Sequence, residues 1–202
     1  QAAQLLVLSA PRIIEVGAGT GEFAADLLLE LERRGALPDA YAILDLSGEL
    51  RARQQATLAC RTPHLLPRVH WLERLPERFD GLVLANEVLD AMPAHLVRWG
   101  TTRIAERGVG VDEGRFVWRD RPASGPLLER AKVLAGECAI APGYLSEISL
   151  TAPAWIAEWA GILGQGALLL IDYGFPRHEY YHPQRSAGTL MCHYRHRSHT
   201  DP

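Results

Sequence analysis

A glycine-rich segment between a predicted strand and a predicted helix constrains the fold more than any other feature of the sequence. Residues 15–21 read Glu-Val-Gly-Ala-Gly-Thr-Gly. They overlap the end of an apolar run at 12–16 and precede a predicted helix at 22–34 with a leucine-rich face. Alternate glycines let the backbone turn tightly and approach a ligand, because no Cβ obstructs it. The pattern therefore predicts a strand–loop–helix unit with a ligand site at the loop.

The rest of the chain alternates between predicted strands and amphipathic helices. Further strands are predicted at 41–46, 69–71, 79–85 and 167–172, and helices at 1–8, 49–59 and 126–135. Strands that are almost entirely apolar are typical of a parallel sheet covered on both faces. Alternating residues on either side of Gly114 predict a β-hairpin at about 102–120. We therefore predict an α/β fold, a doubly wound Rossmann-like sheet with an inserted β-hairpin.

One more helix is predicted before the last strand. Thr151 is the expected N-cap, and Gly164 and Gly166 are expected to end the helix. Its buried side is predicted to carry Trp155, Ile156, Trp159, Ile162 and Leu163.

Composition argues against two classes of protein. The chain has 202 residues and a formal net charge of −3, which argues against binding to nucleic acid through bulk positive charge. The longest aliphatic run, at 167–171, is far shorter than the ~20 residues that span a bilayer, so we expect no membrane insertion. Three scattered cysteines without a CxxC pair favour a reducing compartment.

The spacing of the glycine loop distinguishes between classes of ligand. It is GxGxG, whereas the dinucleotide fingerprint is GxGxxG. Glu22 occupies the next position, and a carboxylate disfavours a pyrophosphate at a helix N-terminus. A nucleoside without phosphates, such as S-adenosylmethionine, suits the loop better. A tight turn without a ligand and a nicotinamide-dependent oxidoreductase remain as alternatives.

Two acidic positions follow other predicted strands. Asp45 ends the second strand, where a carboxylate can accept both ribose hydroxyls of an adenosine; a capping or surface aspartate is the alternative. Asn86, Glu87 and Asp90 follow the fourth strand. One helical turn would place Glu87 and Asp90 on one face, where the pair could bind a guanidinium. Negative charge at a helix N-terminus is the alternative for these two residues.

Several segments together resemble the MidA-like family of S-adenosylmethionine-dependent methyltransferases, which includes the mitochondrial complex I assembly methyltransferase. The resemblance covers nearly the whole chain. It rests on 15–21, on 41–47 with Leu50, Arg51 and Gln54, on 84–93, on 144–149 and on 180–197. The family usually has Glu where this chain has Asp45. The family also has more sequence before the loop and after the last segment, so we expect a central piece truncated at both ends.

The resemblance implies a fold of the class I methyltransferase type and S-adenosyl-L-methionine as cofactor. It implies methylation of arginine side chains in a partner protein, since the mitochondrial relatives form symmetric dimethylarginine and support respiratory complex I assembly. The expected cofactor-binding residues are Glu15, Gly17, Gly19, Gly21, Asp45 and Asn86. The expected catalytic residues are Glu87, Asp90 and Asn86, with Glu147 as a more distant candidate, and no metal is expected. The alternative is a non-catalytic assembly factor or chaperone that binds S-adenosylmethionine.

The sequence also predicts the organisation of the chain. We expect one methyltransferase domain at 1–202, with its core at 1–100 and 150–174 and the hairpin between them. The C-terminal tail, residues 175–202, contains five of the eight histidines and is expected to act as a lid or substrate-contact segment. A nucleic-acid patch and a solvated loop are the alternatives, and the histidine spacing argues against a metal site. The preference for arginine over lysine suggests a bacterial, cytoplasmic protein, and a eukaryotic origin would suggest the mitochondrial matrix.

Overall fold

The computed structural model describes residues 2–202, apart from the side chains of residues 193 and 194. These residues divide into two compact units. The first comprises residues 2–91 and Trp155–Tyr173, and the second comprises Met92–Ala154 and Gly174–Pro202. The sequence analysis placed residues 1–100 in the core, and this range is too long. Residues 95–99 pair with residues 104–107 and 145–148 of the second unit rather than with the parallel sheet.

The predicted elements are present, and their ends differ by four residues at most. The strands are β1 (Arg12–Val16), β2 (Ala40–Leu44), β3 (Val69–Leu72), β4 (Phe79–Asn86), β5 (His95–Trp99), β6 (Ile104–Asp112), β7 (Arg115–Pro122), β8 (Leu145–Ile148), β9 (Leu163–Ile171), β10 (Cys192–Tyr194) and β11 (Arg197–His199). The helices are α1 (Ala2–Leu8), α2 (Glu22–Arg33), α3 (Gly48–Arg61), α4 (Gly125–Cys138), α5 (Thr151–Ile162) and α6 (Arg177–Tyr180). Residue 1, included in the first predicted helix, lies outside the described residues.

The first unit is built on a parallel five-stranded sheet in the order β3-β2-β1-β4-β9. Its two faces carry separate apolar clusters. Ile13, Ile43 and Leu82 pack on one face with the leucines of α2, while Ile14 and Val83 pack on the other with Trp159 of α5. Alternate residues of one strand thus enter opposite layers, as the pleat requires. This arrangement confirms the predicted α/β class.

The prediction around the last helix is partly wrong. Thr151 is the first helical residue rather than the cap, and the Ser149 hydroxyl accepts the Ala152 N–H at 3.1 Å. Gly164 and Gly166 do not follow the helix as a loop but lie within β9. Strand β9 begins earlier than predicted because its first residues pair with β4, starting with Leu163 opposite Phe79.

The second unit contains an antiparallel four-stranded sheet in the order β7-β6-β5-β8. The predicted hairpin is present as β6 and β7, and Gly114 in its turn has φ of 76°. It is one half of the sheet, whose other half is formed by β5 and β8. Helix α4 packs Leu127 and Leu134 in a cluster with Val97 and Tyr144. Within residues 2–202, no helix combines the length and the apolar character needed to cross a membrane.

Candidate functional site

A cavity of about 370 Å³ lies in the first unit, where β1 and β4 end. In the sheet, β2 and β3 lie on one side of β1, and β4 lies on the other side, so the strand order changes direction at β1. Ligands of doubly wound sheets bind at such a switch in strand order, outside the carboxyl ends of the strands. The cavity is lined by Glu15, Gly17, Ala18, Gly19, Thr20, Glu22, Phe23, Asn86 and Glu87.

The glycine loop forms one wall of the cavity in a conformation that other residues rarely adopt. Gly17, Gly19 and Gly21 have φ of 68°, 54° and 86°. A Cβ on Gly21 would lie 3.0 Å from the backbone Cα of Gln54 in α3. Both the positive φ and this close approach require glycine at position 21. The loop is therefore held against α3 while its other side lines the cavity.

Glu15 is a buried carboxyl group at the base of the cavity. Its side chain is 2% exposed, and the Tyr41 hydroxyl donates a hydrogen bond to its Oε2 at 2.7 Å. Burial raises the pKa of Glu15 to about 7; the Tyr41 hydrogen bond opposes this shift and the charge of Asp45 adds to it. Near neutral pH this group can therefore gain or lose a proton.

Asp45 lies just beyond β2, and two donors hold its carboxylate. The Ser47 backbone N–H donates to Oδ1 at 2.9 Å, and Gln54 Nε2 donates to Oδ2 at 2.8 Å. Gln54 is itself fully buried and also donates to the Gly19 carbonyl at 3.0 Å. The carboxylate is thus held next to the glycine loop, and each of its oxygens keeps a lone pair for a further donor.

The segment after β4 does not form the helical turn that would place Glu87 and Asp90 on one face. Glu87 has φ of 50°, a left-handed conformation that is uncommon outside glycine, and its N–H donates to the Ile171 carbonyl at 2.8 Å. Asn86 and Glu87 line the cavity, and both Glu87 and Asp90 are exposed. The predicted helix spacing of these two carboxylates is therefore wrong.

Asp172 and Tyr173, which the sequence analysis missed, hold this segment in place. The Asp172 carboxylate accepts the N–H groups of Leu89 and Asp90 at 3.1 and 3.3 Å. The Tyr173 hydroxyl donates to Asp90 Oδ2 at 3.0 Å, and this hydrogen bond raises the pKa of Tyr173. The signal was available, because Asp172 directly follows the carboxyl end of β9, the strand next to β4.

Glu147, the more distant catalytic candidate, lies in the second unit, where it holds the C-terminal tail. Its carboxylate accepts the Tyr180 hydroxyl at 2.6 Å and the Thr189 and Leu190 N–H groups at 2.7 and 2.9 Å. A carboxylate with three such donors has much of its accepting capacity occupied. Its observed contacts are those of a structural anchor. Among the residues the structure describes, no group of three His, Cys, Asp or Glu side chains could hold a metal ion.

Comparison with solved structures identifies two similar chains from Burkholderia thailandensis. One is a COG1565 superfamily member bound to S-adenosyl-homocysteine, with 52% identity over the whole of this chain and a TM-score of 0.91. The other is a native structure of an uncharacterised COG1565 superfamily protein, with 52% identity and a TM-score of 0.92. This chain covers 52% and 54% of those proteins, so it spans about half of their length.

A comparison with protein families also indicates an S-adenosyl-L-methionine-dependent protein. No curated protein matches the sequence. The model of a family described as "Putative S-adenosyl-L-methionine-dependent methyltransferase" matches residues 2–202. The match extends over nearly the whole chain, and the fold is that of a class I methyltransferase. The chain therefore belongs to this family of S-adenosyl-L-methionine-dependent methyltransferases.

Proposed function

We propose that this chain binds S-adenosyl-L-methionine at the glycine loop and that the protein transfers the methyl group to an arginine side chain of a partner protein. The acidic lining of the cavity supports the cofactor part of this proposal, and the resemblance to the MidA-like family supports arginine as the methyl acceptor. Glu15, Glu22 and Glu87 all line it, and the cofactor carries positive charge on its sulfonium and amino groups. Glu15 is only partly ionised near pH 7 and Glu22 is also paired with Arg61, so Glu87 contributes most to this charge complementarity. The same carboxyl groups disfavour a pyrophosphate, which is the argument against a nicotinamide dinucleotide.

The residues around the loop fit this cofactor. A Cβ on Gly19 would meet no atom within 4 Å, so the loop is open on the side of the ligand. Asp45 supplies a fixed acceptor for the ribose hydroxyls, and Glu15 supplies a carboxyl group at the base of the cavity. The residues proposed to bind the cofactor are Glu15, Gly17, Gly19, Gly21, Asp45 and Asn86.

The segment after β4 is proposed to bind the guanidinium. The bound cofactor supplies a methyl group on a sulfonium sulfur, already activated for transfer. A guanidinium is planar and cationic, and carboxylates bind it with directed hydrogen bonds. Glu87 and Asp90 would orient one guanidinium nitrogen and offset the charge as its bond to the methyl carbon forms and the sulfur–methyl bond breaks, which would release S-adenosylhomocysteine. A carboxylate would accept the proton that this nitrogen loses. Asn86 would orient the reactants at the cavity wall.

The biological setting follows from the resemblance to the MidA-like family. A subunit of respiratory complex I is the proposed partner, and we propose a role in complex I assembly. We propose the cytoplasm as the compartment for a bacterial protein and the mitochondrial matrix for a eukaryotic one. The C-terminal tail is proposed to contact the substrate.

Cofactor binding is the first test. Calorimetric titration with S-adenosylhomocysteine should give micromolar affinity, about −8 kcal/mol, and NAD should give no binding. Binding of NAD without S-adenosylhomocysteine would overturn the proposal in favour of an oxidoreductase.

Methyl transfer is the second test. Protein extract, incubated with the enzyme and isotope-labelled S-adenosylmethionine, should gain label on arginine, identified by mass spectrometry of the peptides. Asp90→Asn should lower the rate at least tenfold and leave S-adenosylhomocysteine affinity unchanged. Asp39→Asn is the matched control, because Asp39 is an exposed carboxylate at the opposite, amino end of β2. Cofactor binding without transfer to any residue would favour the non-catalytic assembly factor.

A further inference from the structure

Gln54 is a buried polar side chain within α3, and two of its three hydrogen bonds are with residues of the proposed cofactor site. Its side chain is fully buried. Nε2 donates to the Gly19 carbonyl at 3.0 Å and to Asp45 Oδ2 at 2.8 Å, while Oε1 accepts from Trp71 Nε1 at 3.0 Å. Both amide hydrogens and one oxygen lone pair are therefore used.

The chemistry of the three partners fixes the orientation of the Gln54 amide. The Trp71 indole can only donate, so it must face Oε1. The Gly19 carbonyl and the Asp45 carboxylate can only accept, so both must face Nε2. A flipped amide would place an oxygen against two oxygens and an N–H against an N–H. The amide thus has one orientation, in which it links Asp45 just after β2, Trp71 of β3 and Gly19 of the glycine loop.

We infer that Gln54 is a positioning residue for cofactor recognition. Gln54 fixes the Asp45 carboxylate relative to the Gly19 backbone, so that the acceptors for the ribose and the wall for the rest of the ligand are held in one geometry before the ligand arrives. A preorganised site loses less entropy on binding. This inference rests on the proposed binding of the cofactor, and it does not depend on the methyl acceptor.

Two observations separate this role from ordinary core packing. The neighbouring core position on the same face of α3 is Leu58. This apolar residue packs in the cluster that contains Ile13 and Ile43, on one face of the parallel sheet. An apolar residue at 54 would suffice for packing, but it would leave the Gly19 carbonyl and the Asp45 oxygen without this donor. Close packing of Gly21 against the Gln54 backbone also brings the amide within reach of the loop.

Gln54→Met is the test, because methionine has a similar length and no hydrogen-bonding amide. The measured quantities are the dissociation constants of S-adenosylhomocysteine and of its 2′-deoxy analogue, both by calorimetry on purified protein. The 2′-deoxy analogue lacks a hydroxyl that is proposed to donate to the Asp45 carboxylate. Loss of this hydrogen bond should make the analogue bind to the wild type roughly 10- to 100-fold more weakly than S-adenosylhomocysteine. In Gln54→Met, S-adenosylhomocysteine should bind about 10-fold more weakly, and the discrimination between the ligands should fall to about threefold.

The control is Gln55→Leu, which removes an exposed amide from the adjacent position of the same helix. It should keep both the affinity and the discrimination of the wild type. If Gln54→Met does not fold, Trp71→Phe takes its place, since it removes the indole N–H that Gln54 Oε1 accepts, together with part of a ring that packs against the core. Trp71→Phe should lower the discrimination in the same direction.

The outcomes separate this inference from the proposal on which it rests. A wild-type protein that binds both ligands equally would overturn the role of Asp45 in ribose recognition, and the Gln54 inference with it. A wild type that discriminates, with a folded Gln54→Met protein that discriminates equally well, would overturn the Gln54 inference alone. Weaker binding with unchanged discrimination would likewise show a purely structural role.

Discussion

Replacing Glu15 by glutamine should make the stability of the protein less dependent on pH, and the structure gives the size of the effect. The Glu15 carboxyl is buried, and its pKa is raised from 4.5 to about 7. Glutamine has the same shape, and its carbonyl oxygen can accept the Tyr41 hydrogen bond that Oε2 now accepts. The substitution therefore removes the ionisation and leaves the packing in place.

The sign follows from the protons bound in each state. Between pH 4.5 and 7 the unfolded chain has lost the Glu15 proton while the folded chain still holds it. The folded state then binds more protons, so the free energy of unfolding falls as pH rises through this range. The loss of stability caused by ionising the buried Glu15 carboxyl is absent below pH 4.5 and complete above pH 7. A shift of this size corresponds to about 3 kcal/mol at 1.36 kcal/mol for each pKa unit.

Urea unfolding at pH 5, 6, 7 and 8 measures this effect. Glu15→Gln should gain stability relative to the wild type as pH rises, by about 2 to 3 kcal/mol between pH 5 and pH 8, with unchanged m-values. Glu77→Gln is the control, since Glu77 is exposed, and its difference from the wild type should stay within about 0.5 kcal/mol at each pH. A constant difference for Glu15→Gln, or one that shrinks with pH, would refute the argument, because the carboxyl would then be ionised in the fold.

Three further predictions concern the segments around the site and the tail. Ser47→Ala removes the hydroxyl that caps α3, so the free energy of unfolding measured in urea should fall by about 1 kcal/mol. Asp172→Ala removes the acceptor of two backbone N–H groups, so hydrogen exchange at Leu89 and Asp90 should accelerate while exchange in β1 stays unchanged. Glu147→Ala frees the C-terminal tail from its anchor, so trypsin should cut the tail roughly tenfold faster; equal cleavage rates would contradict the anchoring role.

The parallel sheet and the glycine loop could be predicted because their signals are local. An apolar run followed by Gly-Ala-Gly-Thr-Gly determines a strand and a turn without reference to distant residues, and β1 has the predicted bounds. The inserted sheet was only half predicted. Strand β5 is short and mixes polar with apolar residues, and its pairing with β8 joins positions about 50 residues apart. Such pairing has no signature within a short window of sequence.

The segment after β4 shows a second limit. A spacing of three residues between Glu87 and Asp90 favours one helical turn, and nothing nearby in the sequence opposes it. The competing interaction comes from Asp172, whose carboxylate binds the N–H groups of Leu89 and Asp90 from more than 80 positions away. A backbone donor that gains a charged acceptor no longer needs a helical partner. Tertiary hydrogen bonding therefore replaced the local preference.

Gln54 could have been found from the sequence by a different argument. Leu50, Gln54 and Leu58 are spaced by four, so they lie along one face of α3. A glutamine within such an apolar stripe is buried by its neighbours, and a buried amide must find partners for its donors and its acceptor. Strand β2 directly precedes this helix in the chain, and the predicted cofactor-binding residue Asp45 follows the end of that strand. The amide in the stripe therefore indicates contact with the ligand loop, although only the structure could identify Gly19, Asp45 and Trp71 as the partners.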